Sequence, residues 1–524
     1  MAGNPDNPSN PLAGIRWKPI AIWLGLLTLV VTVYHMLYSG EEGALHGFEG
    51  FAYAIYVVTV GISILVWWLL LSGVSPRGKL MGVLVAVVFL SLFKVDGYRG
   101  DLMPKVVFRW SGATIGTHSQ LVGDGHLGHQ EITFDGYTLQ ETDWGDYRGA
   151  GRKGIVQGGG FEDSWLQPVE LWRIKVGKGW SSFISVGKLC WTQGQSGGDE
   201  LVTAYDIGSG AKIWEHSDPV RFDETFGGPG PRATPVYNDG KLWTLGATGL
   251  LNCFDAATGE LHWTQDILAG NNAPNIEWGM TASPLIYNDF VIVHPGGPGG
   301  NSLVAYDKST GDKKWSGGDS IASYSSPQVA VLDGVEQVVV HNGVGLAGHS
   351  LEDGRVLWEY PWTTMSKVNV AQPIVHSDKQ ILTSSGYSVG TVNVQVSRTG
   401  GKWQAKELWR STRLKSKFNT LVSVGQYVYG LDEGIMTCLD MATGKRMWKG
   451  GRYGYGQFVL AGDAFVVLTE TGGGAFVRAT HEKYEEIGKF KALDSKTWQH
   501  PCIANGRLIV RNDLVAVCYS FGGS

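Results

Sequence analysis

At intervals averaging about 45 residues, a short strand in this chain ends in a tight glycine turn and restarts on an indole, a period that marks stacked repeats, because one such unit cannot bury its own apolar face. The clearest copies are AYDIGSGAKIW (204–214), CFDAATGELHW (253–263), AYDKSTGDKKW (305–315) and CLDMATGKRMW (438–448). In each, the Asp accepts hydrogen bonds from turn N–H groups, the Gly supplies the positive φ that closes the turn, and the Trp offers a plate for packing between units. Weaker copies end at Trp358 and Trp409, VELWRIKV presents Trp172 without a turn, and YEEIGKFKAL puts Phe490 in the indole slot. The repeat anchors are therefore Trp172, Trp214, Trp263, Trp315, Trp358, Trp409, Trp448 and Phe490.

Alternating apolar runs such as KLWTLG, FVIVHP, QVVVHN and FVVLTE lie between the anchors and are broken by Gly-rich turns, which is the pattern of four-stranded blades. The last stretch, Trp498 to Tyr519, supplies about three strands, and VELWRIKV near the start can supply the missing outer one. The sequence thus predicts an all-β, eight-bladed propeller closed by its own N-terminal strand, which leaves no open sheet edge.

The Ala-x-Asp-x-x-Thr-Gly-x-x-x-Trp turn resembles the tryptophan-docking repeat of the pyrroloquinoline-quinone (PQQ)-like propeller superfamily. The segment DWGDYRGAGRKG (143–154) resembles the Trp-x-x-Phe/Tyr-Arg-Gly-x-x-Arg-x-Gly lead-in of many such propellers. The resemblance covers residues 143–520 or so and implies two functional classes, quinoprotein dehydrogenases and non-enzymatic, BamB-like scaffolds of the cell envelope.

The first hundred residues read differently. Ile20–Tyr38 and Phe51–Leu71 are charge-free runs long enough to span a bilayer, and Leu80–Phe93 is a shorter one between Lys79 and Lys94. Three runs argue against a cleaved signal peptide. The division expected is a membrane region at 1–95 with two or three transmembrane helices, a Gly-rich tether or small cap at 96–143, and the propeller at 144–524. Arg16 and Lys18 before the first run, three Glu and no Lys or Arg in loop 39–50, and Arg77 and Lys79 after the second run predict a cytoplasmic N-terminus. The propeller is then expected on the periplasmic or exocytoplasmic side of the cytoplasmic (inner) membrane, with lipid as a partner of the helices.

A net charge of −5 and the absence of a long basic block exclude a nucleic-acid binder. Five cysteines occupy separate strand slots or stand alone, so no disulfide framework is expected. His118, His126 and His129 lack the cysteines and fixed spacing of a metal site, and no metal is assigned to them.

Propellers gather one segment per blade around a central channel, at the start of the innermost strand. Here those windows are GWSS (179–182), PRAT (231–234), MTAS (280–283), SYSS (323–326), NVAQ (369–372), KFNT (417–420), GYGQ (454–457) and TWQH (497–500). Six carry an aromatic or basic residue in second place. The candidate binding residues are Trp180, Arg232, Tyr324, Lys417, Phe418, Tyr455, Trp498 and His500, an aromatic mouth with cations beside it. Dehydrogenases of the resembling family hold PQQ and Ca²⁺ with carboxylate and Asn ligands and use an Asp base. None of the 32 window positions is Asp or Glu and no two cysteines are adjacent. Asp223, Glu224, Glu277 and Asp319 stand near enough in sequence to reach inward. The preferred reading is a membrane-anchored scaffold with a protein, peptide or glycan partner and no cofactor; the alternative is a membrane-bound PQQ-dependent dehydrogenase of alcohols or sugars.

Overall fold

The structure is a computed structural model that describes residues 17–38, 49–111, 133–134, 137–157 and 161–521. His118, His126 and His129 lie outside the described residues. The chain forms two compact units, one of residues 1–114 with 225–227, the other comprising 115–224 and 228–524.

The larger unit is an eight-bladed propeller of four-stranded antiparallel sheets. Seven blades follow in chain order, their innermost strands starting at Ile184, Val236, Leu285, Gln328, Ile374, Val422 and Gln457. The eighth is composite. Cys502–Ala504, Arg507–Arg511 and Val515–Ser520 are completed by Val169–Lys175, which pairs antiparallel with Val515–Ser520 as the outermost strand. The first and last parts of the propeller chain are thereby hydrogen-bonded together, as the strand count in the sequence required.

The repeat signature packs each blade on the next. The Trp263 ring lies where a Cβ on Gly311 would come within 2.8 Å of it, and its indole donates to the Lys308 carbonyl at 3.2 Å. Gly311 has φ +77°, so the turn needs glycine for its backbone as well as for the indole's approach. Trp172 on Gly210, Trp214 on Gly259, Trp315 on Gly354 and Trp409 on Gly444 repeat the arrangement. The turn aspartates behave as expected: Asp255 Oδ1 accepts from the Ala257 and Thr258 N–H groups at 3.0 and 2.8 Å, and Asp307 and Asp440 do likewise. Three anchors deviate, and of these Phe490 packs on Gly474 of its own blade. Trp358 donates within its own blade to Gln337 at 2.6 Å, because the fifth blade replaces the short turn with a long hairpin, Gly390–Thr399 and Lys402–Ser411. Trp448 docks on the Thr480 carbonyl at 2.8 Å beside Tyr484. Apolar clusters fill the spaces between neighbouring blades, and the largest joins the seventh and eighth blades to the first. All five cysteines are buried and free.

In the smaller unit the three apolar runs fold as helices, Trp17–Tyr38, Glu49–Val66 continued by a π-helical turn at Trp67–Leu71, and Pro76–Ser91. Ser75 caps the third by accepting from Gly78 N, with Pro76 at its first position. The Trp68 indole donates to the Lys79 carbonyl at 3.1 Å and packs on Gly82. The expectation of transmembrane helices requires correction: among the described residues, no helix is long and apolar enough to cross a membrane. The third has 16 residues, about 24 Å at the α-helical rise against about 30 Å of hydrocarbon, and the regular part of the second stops at Val66. Ile22, Val57, Leu70, Val85 and Leu90 on these helices are exposed. A hairpin, Phe93–Tyr98 with Pro104–Phe108, follows.

Candidate functional site

Each window sits directly ahead of its blade's innermost strand, where the sequence placed it. Their fourth positions form a seam around the channel: Ser283 Oγ accepts from Thr234 N, Ser326 Oγ from Ser283 N, and Thr420 Oγ1 from Gln372 N, at 2.9, 2.9 and 3.2 Å. Across the closure, Ser182 Oγ accepts from His500 N at 2.8 Å. Small hydroxyls recur in these slots because each must tie off a backbone donor of the preceding blade.

In second place, four of the predicted aromatics form one continuous contact. Trp180 and Trp498 have ring centroids 4.9 Å apart, Trp498 and Phe418 5.2 Å, and Phe418 and Tyr455 5.5 Å. Lys417 Nζ stands 4.6 Å over Tyr387 and 4.8 Å over Tyr455, and Lys496 Nζ 4.1 Å over Trp498 and 4.8 Å over Trp180. The loop that delivers Lys417 is fixed by buried Asp432, which accepts from Lys415 N at 2.9 Å and pairs with the ammonium groups of Lys415 at 3.3 Å and Lys449 at 2.7 Å.

Arg232 and Tyr324 belong to a neighbouring group. Arg232 pairs with Glu224 at 3.2 Å, donates to the Gly228 and Gly230 carbonyls and lies 4.6 Å over Phe222. Tyr324 packs on Trp278 with centroids 5.4 Å apart. Electrostatics link the two groups. Burial pulls Lys496 below its ordinary pKa, opposed by Asp513, Glu470 and Glu224 and reinforced by Arg232. Burial pulls Arg232 to about 10, against Glu224 and Glu200. Burial raises Tyr324 and Tyr387, and Glu277 adds to both. The charged members are held inside the protein: Lys417 is 2% exposed and the Arg232 side chain 8%.

His500 stands apart from this ring. Its Nε2 is 3.1 Å from the Tyr147 hydroxyl and its Nδ1 3.4 Å from Arg148 Nη1, and burial keeps it neutral with its pKa well below the usual value. Those partners belong to the lead-in segment 143–154. Arg152 donates to the carbonyls of Ser283, Pro284 and Pro327, and Arg148 to that of Leu421. These acceptors follow the second window positions by two or three residues, so the segment ties the third, fourth and sixth blades together.

The sequence reading missed Lys496 and Trp278, one and two residues ahead of their windows, and Tyr387, Glu433 and Glu470, which join the site through loop folding. Glu224 and Glu277 were legible as near neighbours.

These donors do not fit a calcium–quinone pair. Glu470 accepts from Trp498 Nε1 at 3.3 Å and from Tyr455 N at 3.3 Å, Glu433 accepts from the Tyr455 hydroxyl at 2.9 Å, and Glu224 is paired with Arg232. A hard cation needs several oxygen ligands. Among the described residues, no three His, Cys, Asp or Glu side chains gather into a group suited to a metal ion.

A family model described as outer membrane protein assembly factor BamB matches residues 198–450, just under half of the chain. No curated protein matches. Among solved structures, quinohemoprotein alcohol dehydrogenase from Comamonas testosteroni is 14% identical with TM-score 0.54, covering 75% of this chain and 83% of its own. A europium-containing methanol dehydrogenase is 13% identical with TM-score 0.52, covering 72% and 89%. BamB from Moraxella catarrhalis is 17% identical with TM-score 0.49, covering 68% and 99%. At these identities the likeness to the dehydrogenases is one of fold.

Proposed function

We propose that the chain is a binding or scaffold module of the cell envelope, held at the cytoplasmic membrane through its apolar N-terminal helices, with its propeller exported and its partner captured at the aromatic mouth. The observation that carries this is the chain of ring contacts Trp180–Trp498–Phe418–Tyr455 with Lys417 and Lys496 set over the rings. Three nearby carboxylates, Glu224, Glu433 and Glu470, are engaged by Arg232, Tyr455 and Trp498. Aromatics and Arg dominate interface energetics, and a protein, peptide or glycan offers the carbonyl and hydroxyl groups such a surface takes. The family model's description, an assembly factor, supports a binding role over an enzymatic one. The charge-free runs and the exposed apolar side chains of the helices support lipid contact.

The test is photo-crosslinking from the native membrane. A photoreactive aromatic residue at Phe418 or Trp498 should give the same discrete adduct, and one at exposed Lys402 on the blade-five hairpin should not. Identical adducts from all three positions, or none from the mouth, would remove the mouth as the capture surface. Impermeant labelling of a single cysteine at Gly523 addresses the topology, this position being accessible from outside if the propeller is exported.

A further inference from the structure

The hairpin of the smaller unit has two chemically distinct faces. Phe93 pairs with Phe108 and Val95 with Val106, so these four share one face, while Lys94, Asp96 and Lys105 occupy the other. Val95, Val106 and Phe108 are half exposed, at 53%, 58% and 45%. Rings continue the apolar face in both directions: Phe89 at the end of the third helix lies 5.3 Å from Phe93, Phe93 lies 6.0 Å from Phe108, and Phe108 lies 5.1 Å from Trp110, itself 66% exposed. Arg109 ties the hairpin to the helix, donating from Nε to the Ser91 carbonyl at 2.7 Å. A two-stranded sheet with one bare apolar face is at best marginal in water, and it needs a covering surface.

We infer that this hairpin is an interfacial anchor, its apolar face and the Phe89–Phe93–Phe108–Trp110 ladder seated at headgroup depth in an anionic lipid surface. Two observations select lipid as the occupant. The face joins the Pro76–Ser91 helix through the Phe89–Phe93 ring contact, and that helix exposes Leu84, Val88 and Leu90. The hairpin and its turn carry Lys94, Arg99, Lys105 and Arg109 against Asp96 and Asp101, with Arg99 and Lys105 paired to those carboxylates at 3.2 and 3.3 Å, which leaves the hairpin net positive. Aromatic side chains flanked by Lys and Arg suit the membrane–water interface, where one end of each group is apolar and the other wet.

The inference rests on the membrane reading proposed above, and the experiment separates the two. The full chain carries an environment-sensitive fluorophore on Val106→Cys or, as control, on Lys402→Cys; the five native cysteines are buried. It is reconstituted into phosphatidylcholine vesicles with or without about 30% phosphatidylglycerol. The fluorophore at Val106 should resist aqueous iodide at least about threefold better than the control and be quenched by lipids spin-labelled near the headgroup. Lys94→Glu with Lys105→Glu should reduce that protection in the anionic vesicles and leave it unchanged in the neutral ones. A Val106 label as open to iodide as the control, on a chain that still floats with the vesicles, overturns the anchor and spares the membrane reading. A chain that floats with neither kind of vesicle overturns both. Protection from iodide without quenching by the lipid labels means that another protein surface covers the face, and it also overturns the anchor.

Discussion

Arg152 and Asp146, six residues apart in the lead-in segment, form an ion pair at 3.0 Å whose guanidinium also takes carbonyls from the third and fourth blades. The Arg152 side chain is buried and Asp146 only partly so. Breaking a buried pair from one side costs about 3–5 kcal/mol, because the remaining polar groups lose their partners. Arg152→Leu should therefore lower the free energy of urea unfolding by about that amount, and Asp146→Asn by clearly less. Equal, small effects would mean that the segment does not brace the blades.

The docked indoles predict a graded series. Trp263→Ala and Trp315→Ala should each cost about 3–5 kcal/mol in thermal or urea unfolding, the range for deleting a buried large aromatic. Gly311→Ala should also destabilise, since its φ is +77° and the added Cβ would lie 2.8 Å from the Trp263 ring. Unchanged melting in all three would remove the docking role from the repeat.

The fold was legible because the signature is local and repeats: each Asp, Gly and Trp does its work within one turn and one neighbour, so copies such as 253–263 and 305–315 announce it. Closure by Val169–Lys175 followed from counting strands. The site was legible only in part. Trp180, Phe418, Tyr455 and Trp498 came from the windows, whereas Tyr387 and Glu470 are assembled by loops whose path no periodicity encodes. The burial of Arg232 and Lys417 was not legible either: the Gly228 and Gly230 carbonyls and Glu224 enclose Arg232, and the rings of Tyr387 and Tyr455 lie against Lys417.

That enclosure changes what truncating them does. Arg232→Ala strands Glu224, whose side chain is 13% exposed, so the variant should lose stability, by roughly 2 kcal/mol or more, as well as partner capture. Differential scanning calorimetry beside the crosslinking assay separates the two effects. Full stability in Arg232→Ala would show that the pair is solvated after all.

Two kinds of buried group, a carboxyl and two imidazoles, give the stability opposite pH dependences. Burial raises Glu200 to about 7, so the folded state binds its proton more tightly than the unfolded chain does. Its contribution is complete below about 4.5 and is lost as pH rises through about 7. Glu200→Gln should then raise the melting temperature at pH 8 relative to wild type and change it little at pH 5. Burial, with the His349 ring adding to it, lowers His294 to about 3, and burial lowers His341 to about 4. These neutral rings support stability above about 6.5, and that support is lost as pH falls from there toward 3 or 4. His341→Asn should make the acid limb shallower. A steeper limb, or a Glu200→Gln effect confined to acid pH, would contradict these assignments.

The claim that the mouth binds a partner rather than a redox cofactor is tested most directly by titrating the purified chain with PQQ and Ca²⁺ and following its melting temperature and quinone absorbance. The account predicts no shift, no bound chromophore and no dye reduction with alcohols or aldoses. Saturable stabilisation, about 2.7 kcal/mol at a hundredfold excess over the dissociation constant, would contradict it.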